Sequence, residues 1–184
     1  NMPEMPFLLM QLPNFMQKHD KPTDSGWARI REAQLQAFKT IPNTALAVTY
    51  DVGEWNDIHP LNKKDMAKRL FLGARKVVYG EKLVYAGPVY KDMKVEGNKI
   101  IITFTDTGRG LMAKGGILKH FAIAGEDRQF VWADAVIRGN KVIVSSKDVK
   151  QPVAVRYGMR NWSEATLFNN FGIPVTPFRS DEWK

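Results

Sequence analysis

The chain has 184 residues, with 27 Lys and Arg against 19 Asp and Glu, a formal charge of +8, and no cysteine. That length allows one ordinary domain or two small ones, and the lack of thiols excludes a disulfide scaffold, a cysteine nucleophile and thiolate-held zinc or iron–sulfur sites. No apolar run approaches the ~18 residues of a membrane helix and the basic residues are dispersed, so neither a membrane nor a nucleic acid is expected as partner.

After a proline-bounded start, residues 7–12 (Phe7-Leu8-Leu9-Met10-Gln11-Leu12) read as a buried strand. The run lacks the basic leader and small-residue cleavage site of a signal peptide. A chain that opens on a core strand looks cut from something larger. Asp24-Ser25-Gly26 supplies helix-start chemistry, and Trp27, Ile30, Ala33, Ala37 and Phe38 keep a helical period over 27–39. Pro42-Asn43 ends that helix. Residues 44–50 form a second apolar run, the kind of strand that a parallel sheet covered by helices requires. A polar loop, 51–60, follows it. Asn62, with Asp65 three positions on, then caps a helix predicted over 63–78, with an apolar stripe through Met66, Leu70, Phe71, Ala74 and Val77. Residues 7–79 thus read as a piece of an α/β layer whose two strands are expected to be parallel. Two strands alone make no stable sheet.

After Gly80 the apolar period changes from 3.6 to 2. Glu96-Gly97-Asn98-Lys99 and Arg138-Gly139-Asn140-Lys141 each stand between alternating segments, which predicts two hairpins with Gly and Asn at positive φ. Val153 to Tyr157 adds a strand, and the whole stretch is expected to be an antiparallel, sandwich-like region without long helices. Between the hairpins, Asp106 to Leu111 and Lys114-Gly115-Gly116 form a glycine-rich loop. It lacks the spacing of a phosphate-binding motif and reads as a mobile or substrate-facing loop. The tail, 161–184, has no regular period but many aromatic residues, so it is expected to wrap back over the body, pinned by its rings.

Three histidines are candidates for chemistry. His19 lies in a polar loop and His120 stands before a predicted strand; neither pattern points to a ligand role. His59 is different, because Glu54-Trp55-Asn56-Asp57-Ile58-His59-Pro60 leaves the 44–50 strand, and ligand crevices of open α/β sheets lie beyond strand carboxyl ends. A nearby carboxylate such as Asp57 would orient the imidazole as a general base. No Gly-x-Ser-x-Gly occurs; Ser25 reads as a cap, Ser145 and Ser146 as a strand end, and Ser163 as a loop residue. The catalytic set is therefore half present. No metal or cofactor is expected.

Several blocks, in this order along the chain, resemble the sialate O-acetylesterase family of the SGNH hydrolase superfamily. They are Pro6-Phe7 through Met10-Gln11-Leu12-Pro13-Asn14-Phe15, Trp27-Ala28-x-x-Arg31-Glu32-Ala33-Gln34, Asp57-Ile58-His59-Pro60-x-Asn62-Lys63, and Gly172-x-Pro174-x-x-Pro177-Phe178-Arg179-x-Asp181-x-Trp183. The resemblance implies an α/β fold: residues 1–79 would be the C-terminal portion of a flavodoxin-like SGNH hydrolase sheet, and 80–184 a β-sandwich-like domain with an irregular tail. It implies His59 as catalytic base, with Asp57 or another acid orienting it, and Gln11 and Trp55 as walls of the substrate pocket. The substrate would be an O-acetylated sialic acid or other acetylated sugar, in a secreted or periplasmic setting. The family's Gly-Gln-Ser-Asn nucleophile block does not occur in these residues, so the chain alone is expected to be inactive, to need the missing N-terminal part of the same protein, and to self-associate through unpaired edges. The alternative is a carbohydrate-binding or purely structural β module with no catalytic role.

Overall fold

The computed structural model describes residues 4–183. Strand β1 (Phe7–Met10) pairs in parallel with β2 (Thr44–Ala47), in a register that sets Phe7 beside Thr44 and Met10 beside Ala47. Helix α1 (Gly26–Thr40) connects them, and α2 (Lys63–Val77) follows β2 and packs on both strands. Both predicted caps form. The Ser25 hydroxyl accepts the Ala28 N–H at 3.0 Å, and Asn62 Oδ1 accepts the Asp65 N–H at 3.1 Å. Each such cap contributes about 1 kcal/mol.

The inward helix faces differ from the sequence expectation. Helix α1 buries Ala28, Arg31 and Leu35, while Ile30 is 46% exposed. Helix α2 buries Met66, Arg69 and Gly73, while Phe71 is 60% exposed. Both inward stripes run i, i+3, i+7, with an arginine in the middle. An apolar-period reading skips such a residue, because it expects a cation to face water.

Beyond α2 the described residues hold no further helix. Strands β3 (Val89–Glu96), β4 (Lys99–Thr105), β5 (Leu111–Ala113), β6 (Phe121–Ala124), β7 (Val131–Arg138), β8 (Lys141–Ser145), β9 (Ala154–Tyr157), β10 (Leu167–Asn169) and β11 (Phe178–Arg179) follow in turn. Seven of them make one antiparallel sheet in the order β11-β9-β6-β7-β8-β4-β3, and β5 pairs with β10 separately. Both predicted hairpins are present, but only Gly97 and Gly139 take positive φ, at 59° each; Asn98 and Asn140 do not. That is the dihedral pattern of a type II′ turn, in which glycine alone adopts the left-handed conformation.

Strand β7 changes partners along its length, with residues 131–133 on β6 and 134–138 on β8. The sheet bends there and curls until Tyr90 on β3 stacks against Phe178 on β11, ring centroids 4.7 Å apart. The result is a nearly closed barrel. Ile100, Ile102, Phe121, Ile123 and Val155 are wholly buried in it, and Leu35, Leu46, Val48 and Tyr50 of the α/β layer join the same apolar cluster. The Tyr50 and Tyr157 hydroxyls meet at 3.1 Å across the junction. The change of period at Gly80 thus marks a change of secondary structure within one continuous core.

The tail is pinned as expected, but it is more regular than its sequence, because β10 and β11 form within it. Phe168 and Phe178 are buried, and the Trp183 ring packs on Phe130 at 5.7 Å. The glycine-rich loop is part of this arrangement. It is held to the tail: Asn170 accepts the Arg109 N–H at 3.1 Å and donates its own N–H to the Gly110 carbonyl at 3.1 Å.

Candidate functional site

The carboxyl ends of β1 and β2 are each fixed by a buried arginine from the following helix. Arg31, 0% exposed, directs Nε to the Leu12 carbonyl at 2.9 Å, Nη2 to Pro13 O at 2.6 Å and Nη1 to Arg160 O at 2.9 Å. Asn161 O and Asn14 Oδ1 complete the set at 3.0 and 3.2 Å. Among the described residues no carboxylate lies within ion-pair distance of this guanidinium, and burial pushes its pKa down to about 10. At neutral pH it stays charged, held by oriented carbonyl dipoles instead of a counter-ion. Arg69 serves β2 differently. It donates to Val48 O at 2.6 Å and forks onto Asp51, whose Oδ2 lies 2.7 Å from Nη2. Both side chains of that pair are 7% exposed.

From this braced rim the loop after β2 projects into solvent. The His59 side chain is 83% exposed, and its Nδ1 lies 3.5 Å from Asp57 Oδ1. The same carboxylate oxygen accepts the His59 backbone N–H at 2.7 Å. Asp57 therefore closes a short turn and stands beside the Nδ1 edge of the ring. Nε2 has no hydrogen-bond partner among the described residues. Buried Pro60 anchors the loop before the Asn62 cap of α2. Trp55 lies nearby in sequence and is 54% exposed.

Gln11 does not face an open pocket. It is 0% exposed, and its amide nitrogen donates to Arg31 O at 3.1 Å and to Thr176 Oγ1 at 2.8 Å. The polar end of β1 is thus a tie to α1 and to the tail, and the pocket-wall reading of Gln11 is corrected. Asn14 acts similarly: its Nδ2 donates to Ser163 O at 2.6 Å and its Oδ1 accepts the Ser163 N–H at 3.1 Å.

Gly53 sets how the His59 loop meets the loop after β1. A Cβ built there would lie 2.2 Å from the backbone nitrogen of Asn14 and 2.3 Å from its carbonyl oxygen. Neither atom can rotate away. Gly53→Ala is expected to destabilise the chain by about 1–3 kcal/mol through forced backbone displacement. Gly97→Ala meets open space and is expected to cost about 1–2 kcal/mol for its positive φ alone. Urea midpoints check both, and Gly53→Ala should also disturb the amide resonances of 54–60 where Gly97→Ala does not.

His120 is the histidine with an enclosed environment. It holds φ at 63°, and its Nδ1 lies 2.8 Å from Arg160 Nη2. Burial and then the Arg160 charge bring its pKa down from 6.5 to about 4, with Glu164 opposing and Lys119 assisting. The unfolded ring therefore takes up a proton between pH 6.5 and 4 while the folded ring stays neutral. Stability should fall as pH drops through that window. His120→Asn keeps an acceptor and tolerates positive φ. It is expected to flatten this part of the stability–pH curve in urea unfolding, and an unchanged slope would refute the assignment.

Sequence reasoning singled out His59 and Asp57 but assigned no role to Arg31, Asp51, Arg69 or Gly53. The signal available for the two arginines was position: each lies three residues after one inward apolar side chain and four before another inward residue.

No family model matches the chain. A sialate O-acetylesterase from Mus musculus is 31% identical over 94% of this chain and 35% of its own length. The Homo sapiens protein of that name is 36% identical over 54% of this chain and 21% of its own length. The solved structure of a carbohydrate acetylesterase from Xanthomonas citri matches with a TM-score of 0.91 at 46% identity, covering 97% of this chain and 41% of that one. The chain thus spans 35% of the length of the mouse relative. It is homologous to sialate O-acetylesterases and carbohydrate acetylesterases, and it has the α/β-plus-antiparallel-barrel fold of the matching part of the Xanthomonas citri enzyme.

Proposed function

We propose that these residues are part of a carbohydrate O-acetylesterase, a serine hydrolase that removes acetyl esters from sugars, sialic acids among them. Residues 1–79 end its flavodoxin-like SGNH hydrolase sheet, and 80–184 form the trailing β-rich region. The observation that carries the reading is the Asp57/His59 pair, exposed beyond the carboxyl end of a parallel strand in a chain homologous to such esterases. A serine from outside these residues attacks the acetyl carbonyl while His59 Nε2 takes its proton. The tetrahedral intermediate collapses as His59 returns that proton to the departing sugar oxygen, and water then releases acetate by the same route. Asp57 holds the ring. The continuous core between the α/β layer and the barrel supports a structural role for the β-rich region.

Acetate release from an unactivated O-acetyl sugar tests this. A longer protein carrying these residues should turn over, while the 184-residue chain should remain at background. Serine-dependent turnover by the chain alone would overturn the reading. Phe7 and Leu8 on β1 are 51% and 37% exposed, so the chain alone should also self-associate, visible as concentration-dependent mass in sedimentation.

A further inference from the structure

We propose that the cleft between the loop preceding α1 and the barrel binds a single carboxylate-bearing sugar ring, such as a hexuronate. The cleft holds about 210 Å³ and is lined by Thr23, His120, Arg128, Phe130, Trp132 and Arg160, among others. A second hollow of about 360 Å³ adjoins it and shares His120, Trp132 and Arg160. The smaller volume equals about seven waters, room for one ring rather than a chain of them. This site stands on its own observations, whether or not His59 is a catalytic base.

Its charges are unevenly matched. Arg156, on the same wall, is matched by Asp181 at 2.7 Å, and Asp24 approaches it at 3.8 Å. Among the described residues, neither Arg128 nor Arg160 has a carboxylate within ion-pair distance. Arg160 is 5% exposed and its Nη atoms are engaged by the His19 carbonyl and by His120 Nδ1, yet its buried Nε has no partner. Thr23 Oγ1, also buried, has none either. Unpaired buried polar atoms are rare in folded proteins, and two of them belong to residues that line one cleft.

The donor set selects the ligand. With Nδ1 accepting from Arg160, the neutral His120 ring carries its proton on Nε2. Arg160 Nε–H, the Thr23 hydroxyl and that imidazole N–H are then three donors without a partner, while the Asp24 carboxylate that also lines the cleft is taken up by Arg29 Nε and Nη2. An acceptor-only, charged group answers all three: a carboxylate. It reaches Nε and Oγ1 by a slight opening of the loop that carries Thr23. Phe130 and Trp132 add apolar ring surface for the C–H side of a pyranose, one face of each being covered by the Arg156 and Arg160 guanidiniums at 4.1 and 4.7 Å.

The test titrates the 184-residue chain with D-glucuronate, D-glucose, acetate and inorganic phosphate, following the Arg160 Nε–H and Trp132 indole resonances. Glucuronate should saturate, and the other three should bind at least about tenfold more weakly, since each lacks the ring or the carboxylate. Thr23→Val should weaken glucuronate about tenfold while leaving the urea midpoint unchanged or raised, because the hydroxyl has no partner in the free protein. Arg160→Lys should abolish saturation. Failure of glucuronate to saturate, equal binding of glucose, acetate or phosphate, or an unchanged affinity in Thr23→Val would each overturn the proposal.

Discussion

Replacing Arg31 by methionine is expected to destabilise the chain by about 3–5 kcal/mol, read as a lower urea midpoint at unchanged m. A buried cation without a counter-ion looks like a burden, and exchanging buried charges for apolar residues often stabilises a protein. That outcome needs every partner to be removable. Here four of the five partners are backbone carbonyls, those of Leu12, Pro13, Arg160 and Asn161, which stay behind whatever residue 31 becomes. Methionine fills the volume and leaves those acceptors unpaired in a water-poor interior, each a destabilising loss. Arg31→Lys should fare only slightly better, because an ammonium offers three donors from one point and cannot span five acceptors. The five acceptors belong to two distant stretches, 12–14 and 160–161, so the variant should also loosen the tail. Faster amide exchange at 160–163 and near Asn14 would report this. A loss below about 1 kcal/mol would mean that water replaces the guanidinium and that the clamp is not a main support of the rim.

The secondary structure was largely legible because its signals are local. Ser25 and Asn62 announce helix starts by chemistry that needs only the next three residues. Gly97 and Gly139 announce hairpins by the one dihedral that other residues avoid. What was not legible is tertiary. The apolar stripe of α1 predicts an inward Ile30, but the partner surface is two short strands and a tail, and its centre needs a cation for the carbonyls that end β1. Only the fold brings those carbonyls together, so the spacing of Arg31 between Ala28 and Leu35 marks it as inward but not what it holds. Gln11 misled for the same reason: a polar residue at a strand end reads as a pocket wall until Thr176, 165 positions away, occupies its amide. The strands β10 and β11 were invisible because pairing with β5 and β9, not alternation, makes them strands. The placing of His59 beside Asp57 beyond β2 was legible because loop, turn and helix cap are consecutive.

In a longer protein carrying these residues, His59→Ala should lower kcat/KM for an O-acetyl sugar by about a thousandfold or more. The attacking serine is a poor nucleophile while it keeps its proton, and the departing sugar oxygen needs a proton to leave; loss of the imidazole removes both transfers. Whatever donors surround the acetyl oxygen would sustain the residual rate. Asp57→Asn should cost less, about tenfold to a hundredfold. Its carboxylate is 46% exposed and 3.5 Å from Nδ1, so water screens the charge that it offers to the imidazolium. Asparagine also keeps an acceptor for the His59 backbone N–H, so the turn survives and the lost rate reports charge. KM should move little in either variant if both groups act on the reacting atoms and not on sugar binding. His19→Ala, in a polar loop, should leave turnover nearly intact. A fully active His59→Ala enzyme would end the assignment of the base. An Asp57→Asn enzyme as impaired as His59→Ala would mean that Asp57, despite its exposure, is shielded from solvent when substrate is bound.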